Sequence, residues 1–174
     1  MRRLLALALL APLAIGGCSN PAAPTTPMTS KVAVEGHDED DHDHARGKMM
    51  IAHLGKYHAG LTAHISAKDG NELDIFVETV AKSPEPVALP LPTLTAKARR
   101  EGDEREYDLT FEPAPASERP KGEPPGSYSH YVAKAPFLKP DDNLTVVVEV
   151  ELDGRKRKCT WRGFDVKKFT HHAD

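Results

Sequence analysis

The densest set of metal-ligating side chains lies in residues 37–44, where eight positions hold three imidazoles and five carboxylates. His37, His42 and His44 supply the nitrogen ligands that Zn²⁺, Cu²⁺ and Ni²⁺ favour, and Asp43 adds an oxygen between the last two. Because the ligand is the neutral imidazole, metal binding should weaken as the pH falls. The composition predicts a metal-collecting tract with modest affinity. The simpler alternative is a solvated, charged spacer that contains histidine.

A second set of histidines follows the tract. His53 and His58 flank Gly55, and a chain turn at that glycine would let both imidazoles contact one ion. His64 lies on the same predicted strand as His58 and on the same face. Six residues of strand span about 20 Å, so His58 and His64 cannot ligate the same ion. The simpler interpretation is that these strand histidines are surface residues.

A third pair of imidazoles, His171 and His172, lies near the end of the sequence. Adjacent residues of an extended segment point to opposite sides, so this pair alone makes a weak site. If the C-terminus folds back toward His53 or His58, it would form a mixed metal site with them. No tightly bound cofactor is expected, and the candidate ligands are Zn²⁺, Cu²⁺ or Ni²⁺.

The N-terminus has the layout of a secretory signal peptide. Residues 1–3 are positively charged overall, and residues 4–14 form an apolar run that is too short for a bilayer span of about 20 residues. Residues 15–18 read Ile-Gly-Gly-Cys, which resembles the lipobox of bacterial lipoproteins. The resemblance implies removal of residues 1–17 and acylation of Cys18. The alternative is an ordinary signal peptide in which Cys18 has no special role.

The lipobox resemblance also implies a location. A lipidated Cys18 would anchor the protein in the membrane of the cell envelope, and the non-acidic Ser19 fits the periplasmic face of the outer membrane. Residues 18–47 then comprise the lipidated cysteine, a proline-rich linker and the acidic histidine tract.

Residues 37–64, with their acidic histidine tract, are similar to the His-rich periplasmic extensions found with adaptor subunits of heavy-metal efflux pumps. The coiled-coil hairpin and lipoyl-like domain of those adaptors have no counterpart in this sequence. The resemblance therefore implies an accessory to metal efflux rather than an adaptor.

Residues 48–168 are predicted to form an all-β domain, followed by a histidine-containing tail at 169–174. The 174-residue chain has 15 prolines and 12 glycines, which suit short strands joined by turns. The strand count favours an antiparallel β-sandwich of immunoglobulin-like type, and a small β-barrel is the alternative.

Two hairpins can be assigned a register. A loop at residues 69–71 is predicted to pair Ile65 with Ile75 and Ala63 with Val77, because that register places apolar residues opposite each other. The last hairpin turns at Asp153-Gly154, a strong type I′ signal.

In that last hairpin, alternation pairs Val148 with Cys159 and Val146 with Trp161 on the core face. Exposed pairs of opposite charge are predicted between Glu151 and Lys156 and between Glu149 and Lys158. A buried Cys159 would be a small core residue rather than a nucleophile.

An interaction module is the second functional hypothesis. An edge strand near residues 87–91 and the proline-rich loop at 113–127 would contact another envelope protein, with the acidic tract as a spacer. Nucleic acid is not an expected partner, since the net charge is −3 and alternation splits the basic run 155–158 between two faces. The sequence has no recognisable enzyme motif, and no acid that would orient His130 is evident.

Overall fold

The computed structural model describes the backbone of residues 48–173 and the side chains of residues 48–170. The signal peptide, linker and acidic tract therefore lie outside the described residues. The elements in chain order are β1 (Met50–Leu54), β2 (Tyr57–Ile65), β3 (Glu72–Thr79), β4 (Leu94–Arg100), β5 (Glu106–Pro113), β6 (His130–Lys134), β7 (Asn143–Leu152), β8 (Arg155–Asp165), α1 (Val166–Phe169) and β9 (Thr170–Ala173).

The strands form one sheet in the order β1-β2-β3-β6-β5-β4-β7-β8, and β9 is added beside β2. Every neighbouring pair along this path is antiparallel, whereas β9 runs parallel to β2. The prediction of an all-β, antiparallel domain is confirmed.

The sheet curves until its two ends, β1 and β8, lie against each other. The indole N–H of Trp161 on β8 donates to the carbonyl oxygens of Met50 at 2.9 Å and Ala59 at 3.1 Å. At the other end of the contact between β1 and β8, the Lys56 ammonium forms an ion pair with the Asp153 carboxylate at 3.6 Å. The result is a nearly closed, barrel-like sheet, which fits the barrel alternative. The sandwich and its immunoglobulin-like form are not confirmed.

The interior is filled by the alternate residues of each strand that point inward. Trp161 and Tyr131 are the largest of them, and the Tyr131 hydroxyl donates to the Leu91 carbonyl oxygen at 3.0 Å. Apolar side chains from all eight barrel strands complete the core, among them Leu54, Leu61, Ile75, Leu94, Phe111, Ala133, Val146 and Phe164. Burial of these side chains supplies most of the driving force for folding.

In the last hairpin every predicted pair is confirmed, and the register shifts only at an irregularity between Leu144 and Thr145. Val148 pairs with Cys159 and Val146 with Trp161, and both β8 residues are buried. Asp153 and Gly154 have φ angles of 54° and 68°, as a type I′ turn requires. Glu149 and Lys158 approach to 3.5 Å on the outer face.

The predicted register of the hairpin formed by β2 and β3 is wrong. Ala63 pairs with Leu73 rather than with Val77, and Leu61 pairs with Ile75. The loop is longer than predicted because the Ser66 hydroxyl accepts from the backbone N–H of Asp69 at 3.0 Å. Asn71 closes this loop by accepting from the Ser66 N–H at 3.2 Å. The observed register differs from the predicted one by an even number of residues, so apolar positions still lie opposite each other. Matching apolar residues across the two strands therefore could not distinguish the two registers.

The remaining elements follow the sequence with local differences. Residues 87–91 form no extended strand. Instead, an isolated bridge joins Leu89 to Tyr128, and another joins Glu78 to Pro86. The short helix α1 was not predicted; the Asp165 side chain caps it by accepting from the Lys168 N–H at 3.1 Å.

The segment between β5 and β6 is held by contacts within itself and with His130 at the start of β6. Glu123 accepts from the Ser129 hydroxyl at 2.6 Å, and the Arg119 guanidinium lies 5.0 Å above the centre of the Tyr128 ring. The Glu118 carbonyl oxygen lies 3.4 Å from Nδ1 of His130. The proline-rich loop of the interaction hypothesis is thus joined to the barrel by side-chain contacts.

Candidate functional site

The turn between β1 and β2 brings His53 and His58 together. Gly55 has a φ of 66°, a conformation that glycine adopts without strain, and the two histidines are direct cross-strand partners. Their ring centroids are 5.0 Å apart with an angle of 62° between the ring planes. His53 is exposed and His58 is half-buried. The chain turn at Gly55 on which a shared ion depends is therefore present.

A carboxylate lies in the same row of the sheet. Glu78 on β3 is the cross-strand partner of His58, so the row across three strands reads His53, His58, Glu78. Glu78 is buried, whereas the imidazole row opens toward solvent at His53. Two imidazoles at the exposed end of the row are thus the ligands that a metal ion in solution would meet first.

The C-terminal pair lies at the other end of β2. The register pairs Thr170 with Ala63 and Ala173 with Ile65, which places His171 and His172 beside His64. The chain end therefore folds back onto β2, as a mixed site requires, but it does so at His64 and not at His53 or His58. The side chains of residues 171–173 are not described.

The remaining predicted ligands, His37, His42, Asp43 and His44, lie outside the described residues, as does Cys18. Among the residues that are described, no group of three or more His, Cys, Asp or Glu side chains is arranged to hold a metal ion. Within this part of the chain, His53 and His58 are predicted ligands that the fold brings together.

A buried polar pair, Asp74 and His130, went unrecognised in the sequence. Nε2 of His130 lies 2.9 Å from Oδ1 of Asp74, and both side chains are at least nine-tenths buried. The His130 ring stacks on Phe76 with centroids 4.1 Å apart. The nearby Thr62 hydroxyl is fully buried and makes no hydrogen bond to a described residue. The pair is an acid–imidazole couple shielded from solvent.

Position in the fold explains both the role of this pair and why it was missed. Asp74 and His130 are 56 residues apart in sequence and meet only because β3 and β6 are neighbours. One signal was available: β3 is a run of apolar residues interrupted by Asp74, which indicates burial on both faces. Since both groups are enclosed, the pair can hold the 113–127 loop against the sheet through His130 and Glu118.

Cys159 has the environment of a core residue. Burial raises the pKa of its thiol to about 12, so the thiolate is scarce at neutral pH. Its cross-strand partner is Val148, and it is a free cysteine. The prediction that Cys159 is a small core residue is confirmed.

An open groove of about 440 Å³ lies where the β4–β5 turn meets the start of β7. Its lining mixes Arg99 and Arg100 with Glu101, Asp103 and Glu104. The Arg100 guanidinium already donates to Oδ2 of Asp142 at 2.9 Å and lies over the Tyr107 ring. Opposite charges compensate each other along this groove, so it has no concentrated field for an anion.

Within residues 48–173, no helix has the length and apolar character needed to cross a bilayer. No protein-family model, no curated protein and no solved structure matches the chain.

Proposed function

We propose that this chain is a lipid-anchored protein of the cell envelope that binds and buffers Zn²⁺, Cu²⁺ or Ni²⁺. Cys18 is the anchor, the acidic tract at 37–44 collects the ions, and the barrel-like domain displays His53 and His58 as further ligands. The wider setting that fits these parts is an accessory role beside metal efflux at the periplasmic face of the outer membrane.

The observation that carries the proposal is the distance between the two imidazoles of His53 and His58. Their centroids are 5.0 Å apart. Two imidazoles on one tetrahedral ion have centroids roughly 5 Å apart, given metal–nitrogen bonds of about 2.0–2.1 Å. The sheet therefore supports a two-imidazole site that needs little rearrangement.

The tract lies close in sequence to this pair. His37 precedes Lys48 by eleven residues, which an extended chain spans in at most about 40 Å. Lys48 is two residues before β1, the strand that carries His53. The tract has no apolar residue around which to fold, so closing it on an ion costs chain entropy, which favours modest affinity and rapid exchange.

The interaction module has less support from the described residues. Backbone groups near residues 87–91 are already bonded within the chain: the Val87 N–H donates to Val77 at 2.8 Å and the Leu89 N–H donates to Tyr128 at 2.8 Å. An edge whose N–H groups are occupied is a poorer template for a partner strand. Binding to another envelope protein remains the alternative if metal titration fails.

The test is calorimetric titration of the soluble chain, residues 19–174, with Zn²⁺, Cu²⁺ and Ni²⁺ at pH 7.5 and 5.5. Binding at micromolar concentrations or tighter that is lost at the lower pH is expected, because protonated imidazole is not a ligand. No heat with any ion at pH 7.5 would refute the proposal.

Variants divide the binding between the two regions. Replacing His37, His42 and His44 with Asn keeps the length and the five carboxylates, so it separates imidazole ligation from simple attraction by charge. The double variant His53→Gln/His58→Gln removes the pair on the barrel. Lys56→Gln is the matched control, since it changes the same turn without removing an imidazole.

A further inference from the structure

Both ring nitrogens of His130 face hydrogen-bond acceptors. Nε2 lies 2.9 Å from Oδ1 of Asp74, and Nδ1 lies 3.4 Å from the carbonyl oxygen of Glu118. A backbone carbonyl only accepts hydrogen bonds, and so does an ionised carboxylate. Both contacts can therefore be hydrogen bonds only if the Asp74–His130 couple supplies a proton to each of them.

A count of protons shows what this arrangement requires. A neutral imidazole carries one N–H, so beside an ionised Asp74 it can serve only one of its two partners. One additional proton allows both bonds. It gives either an imidazolium that donates from both nitrogens, or a protonated Asp74 that donates to Nε2 while Nδ1–H donates to Glu118. The two arrangements hold the same number of protons, so the requirement belongs to the couple as a whole.

Water has little access to the couple. The side chains of His130 and Asp74 are 6% and 7% exposed, and the Phe76 ring stacks on the imidazole with centroids 4.1 Å apart. If the additional proton leaves, a lone pair on Nδ1 faces the Glu118 carbonyl oxygen. A buried polar contact without a proton between its atoms is destabilising. Loss of the proton therefore weakens the contact between the imidazole and Glu118.

The contact with Glu118 joins the middle of the 113–127 loop to the sheet. Near the end of the loop, the Glu123 carboxylate accepts from the Ser129 N–H at 2.9 Å, which holds that end beside the start of β6. Glu118 lies in the part of the loop that precedes this anchor, and its carbonyl oxygen meets a strand residue, His130. The protonation of the couple therefore bears on whether the middle of the loop stays docked.

Other charged groups surround the couple. Lys134 on β6 is hydrogen-bonded to Glu72, and this bond, with a smaller contribution from the charge of Asp74, raises the pKa of Lys134. The remaining titratable side chains on this face and in the loop are Glu78 of β3, His58 and His64 of β2, Glu112 of β5, and Glu118, Arg119, Lys121 and Glu123 of the loop. Among the described residues, Asp74 is the charged side chain in hydrogen-bond contact with His130.

We propose that the Asp74–His130 couple is a pH-sensitive switch, which docks the 113–127 loop when it holds the additional proton and releases the loop when that proton is lost. Once the loop is undocked, Nδ1 faces water, which donates as readily as it accepts, so the imidazole no longer needs the additional proton. The docked state therefore binds one proton more than the undocked state, and a rise in pH favours release.

The switch goes beyond the proposed function and requires no metal ion. The 113–127 loop is the segment that the interaction hypothesis assigns to a partner protein. The proton would therefore control how far this segment is presented to a partner.

Limited proteolysis of the soluble chain, residues 19–174, in the presence of a chelator measures the undocked population. Trypsin cuts after the exposed Lys121, and the cleavage rate follows the population of the open form when opening is fast. Rates between pH 6 and 8.5 are divided by those for the same bond in a peptide of residues 113–127, which removes the pH dependence of trypsin. We expect this ratio to rise with pH, by up to about tenfold per unit for one linked proton. Cleavage after Lys82, in another exposed loop, should show no such rise.

Asp74→Asn tests the requirement for the proton directly. Asparagine can donate from Nδ2 to Nε2 of His130, so a neutral imidazole can donate from Nδ1 to Glu118 and satisfy both partners. The loop should then stay docked, with a low ratio that does not change with pH. His130→Gln removes the titrating ring, and its ratio should also be independent of pH. Ser129→Ala is the matched control, because it removes a bond to Glu123 and leaves the couple intact. Its ratio should be higher at every pH, with the slope of the unsubstituted chain.

Nitrogen-15 NMR of the His130 ring gives a second readout in the unsubstituted chain, which decides the question even if a variant does not fold. In the docked chain at pH 6, Nδ1 should carry a proton. A docked loop beside a neutral ring protonated only at Nε2 would overturn the proposal. A cleavage ratio that is independent of pH in the unsubstituted chain would also overturn it, as would the same pH slope in Asp74→Asn or His130→Gln as in the unsubstituted chain.

Discussion

The outer surfaces of two hairpins in the same barrel differ in their exposure to solvent. On β7 and β8 the outer surface carries exposed charges such as Glu149 and Lys158. On β2 and β3 the corresponding surface is buried, with Thr62, Asp74 and Phe76 at most 7% exposed. Alternation of apolar and polar residues reveals which face of a strand points into the core only when the other face is exposed to solvent. The comparison shows why both faces of β7 and β8 could be assigned from the sequence, whereas the buried outer face of β2 and β3 could not.

The largest expected loss of stability tests whether the outer face of β3 is buried from solvent. His130→Ala should destabilise the folded state by about 3 kcal/mol, because it removes the partner of a buried carboxyl and the ring that stacks on Phe76. Chemical denaturation of His130→Ala, Asp74→Asn and the double variant would give the coupling energy between the two side chains. A loss below about 1 kcal/mol for His130→Ala would mean that this face is hydrated and that the contrast with β7–β8 is false.

A smaller effect is expected where Met49 covers the outer side of β2. A Cβ added at Gly60 would lie 2.1 Å from Sδ of Met49 and 3.3 Å from Cδ1 of Ile51. Gly60→Ala should therefore cost about 1–3 kcal/mol by overpacking, measured by thermal or chemical unfolding. Met49→Ala in the same chain should recover part of the loss. A neutral Gly60→Ala would show that Met49 does not cover this strand.

The inner face of β8 can be probed through pH. Burial raises the pKa of Cys159 to about 12, whereas its ordinary value is 9.0. The unfolded chain therefore releases the thiol proton first, so stability from this group is fully present below pH 9 and is lost between pH 9 and 12. The slope should reach about 1.4 kcal/mol per pH unit.

Comparison with Cys159→Ala isolates this contribution, because the lysines and tyrosines that also titrate are unchanged. Denaturation at pH 8, 9 and 10 should show a steeper loss in the unsubstituted chain. Equal slopes in the two chains would place the thiol in contact with water and contradict its burial.

The smallest effect is expected on the outer face of β7 and β8. Glu149→Gln removes an ion pair whose side chains are 71% and 62% exposed, so it should cost only about 0.2–1 kcal/mol and less in high salt. Chemical denaturation at low and high ionic strength provides the measurement. A cost comparable to that of His130→Ala would remove the difference between the two hairpins.

The predictability of the candidate site varied in the same way as that of the fold. The pairing of His53 with His58 followed from a local turn at Gly55, and a glycine with two flanking histidines is visible in the sequence. Asp74 and His130, by contrast, are brought together by a connection of more than fifty residues. No local pattern determines which two strands become neighbours after so long a connection, so the pair was not predicted.

The register of β2 and β3 failed for a related reason. The loop that joins them is built by Ser66 and Asn71, and Nδ2 of Asn71 also donates to the Leu138 carbonyl oxygen at 2.8 Å. This second bond comes from a distant part of the chain. The loop conformation therefore depends on tertiary contact as well as on the turn residues.

The sequence by itself determined the all-β class, the last hairpin and the burial of Cys159 and Trp161, because strand alternation and a type I′ turn are local properties. Only the tertiary structure decided that the sheet curves until β1 meets β8, that Asp74 meets His130, and that β9 lies beside His64. These features join residues far apart in the chain, and each depends on which surfaces remain to be buried once the local elements have formed.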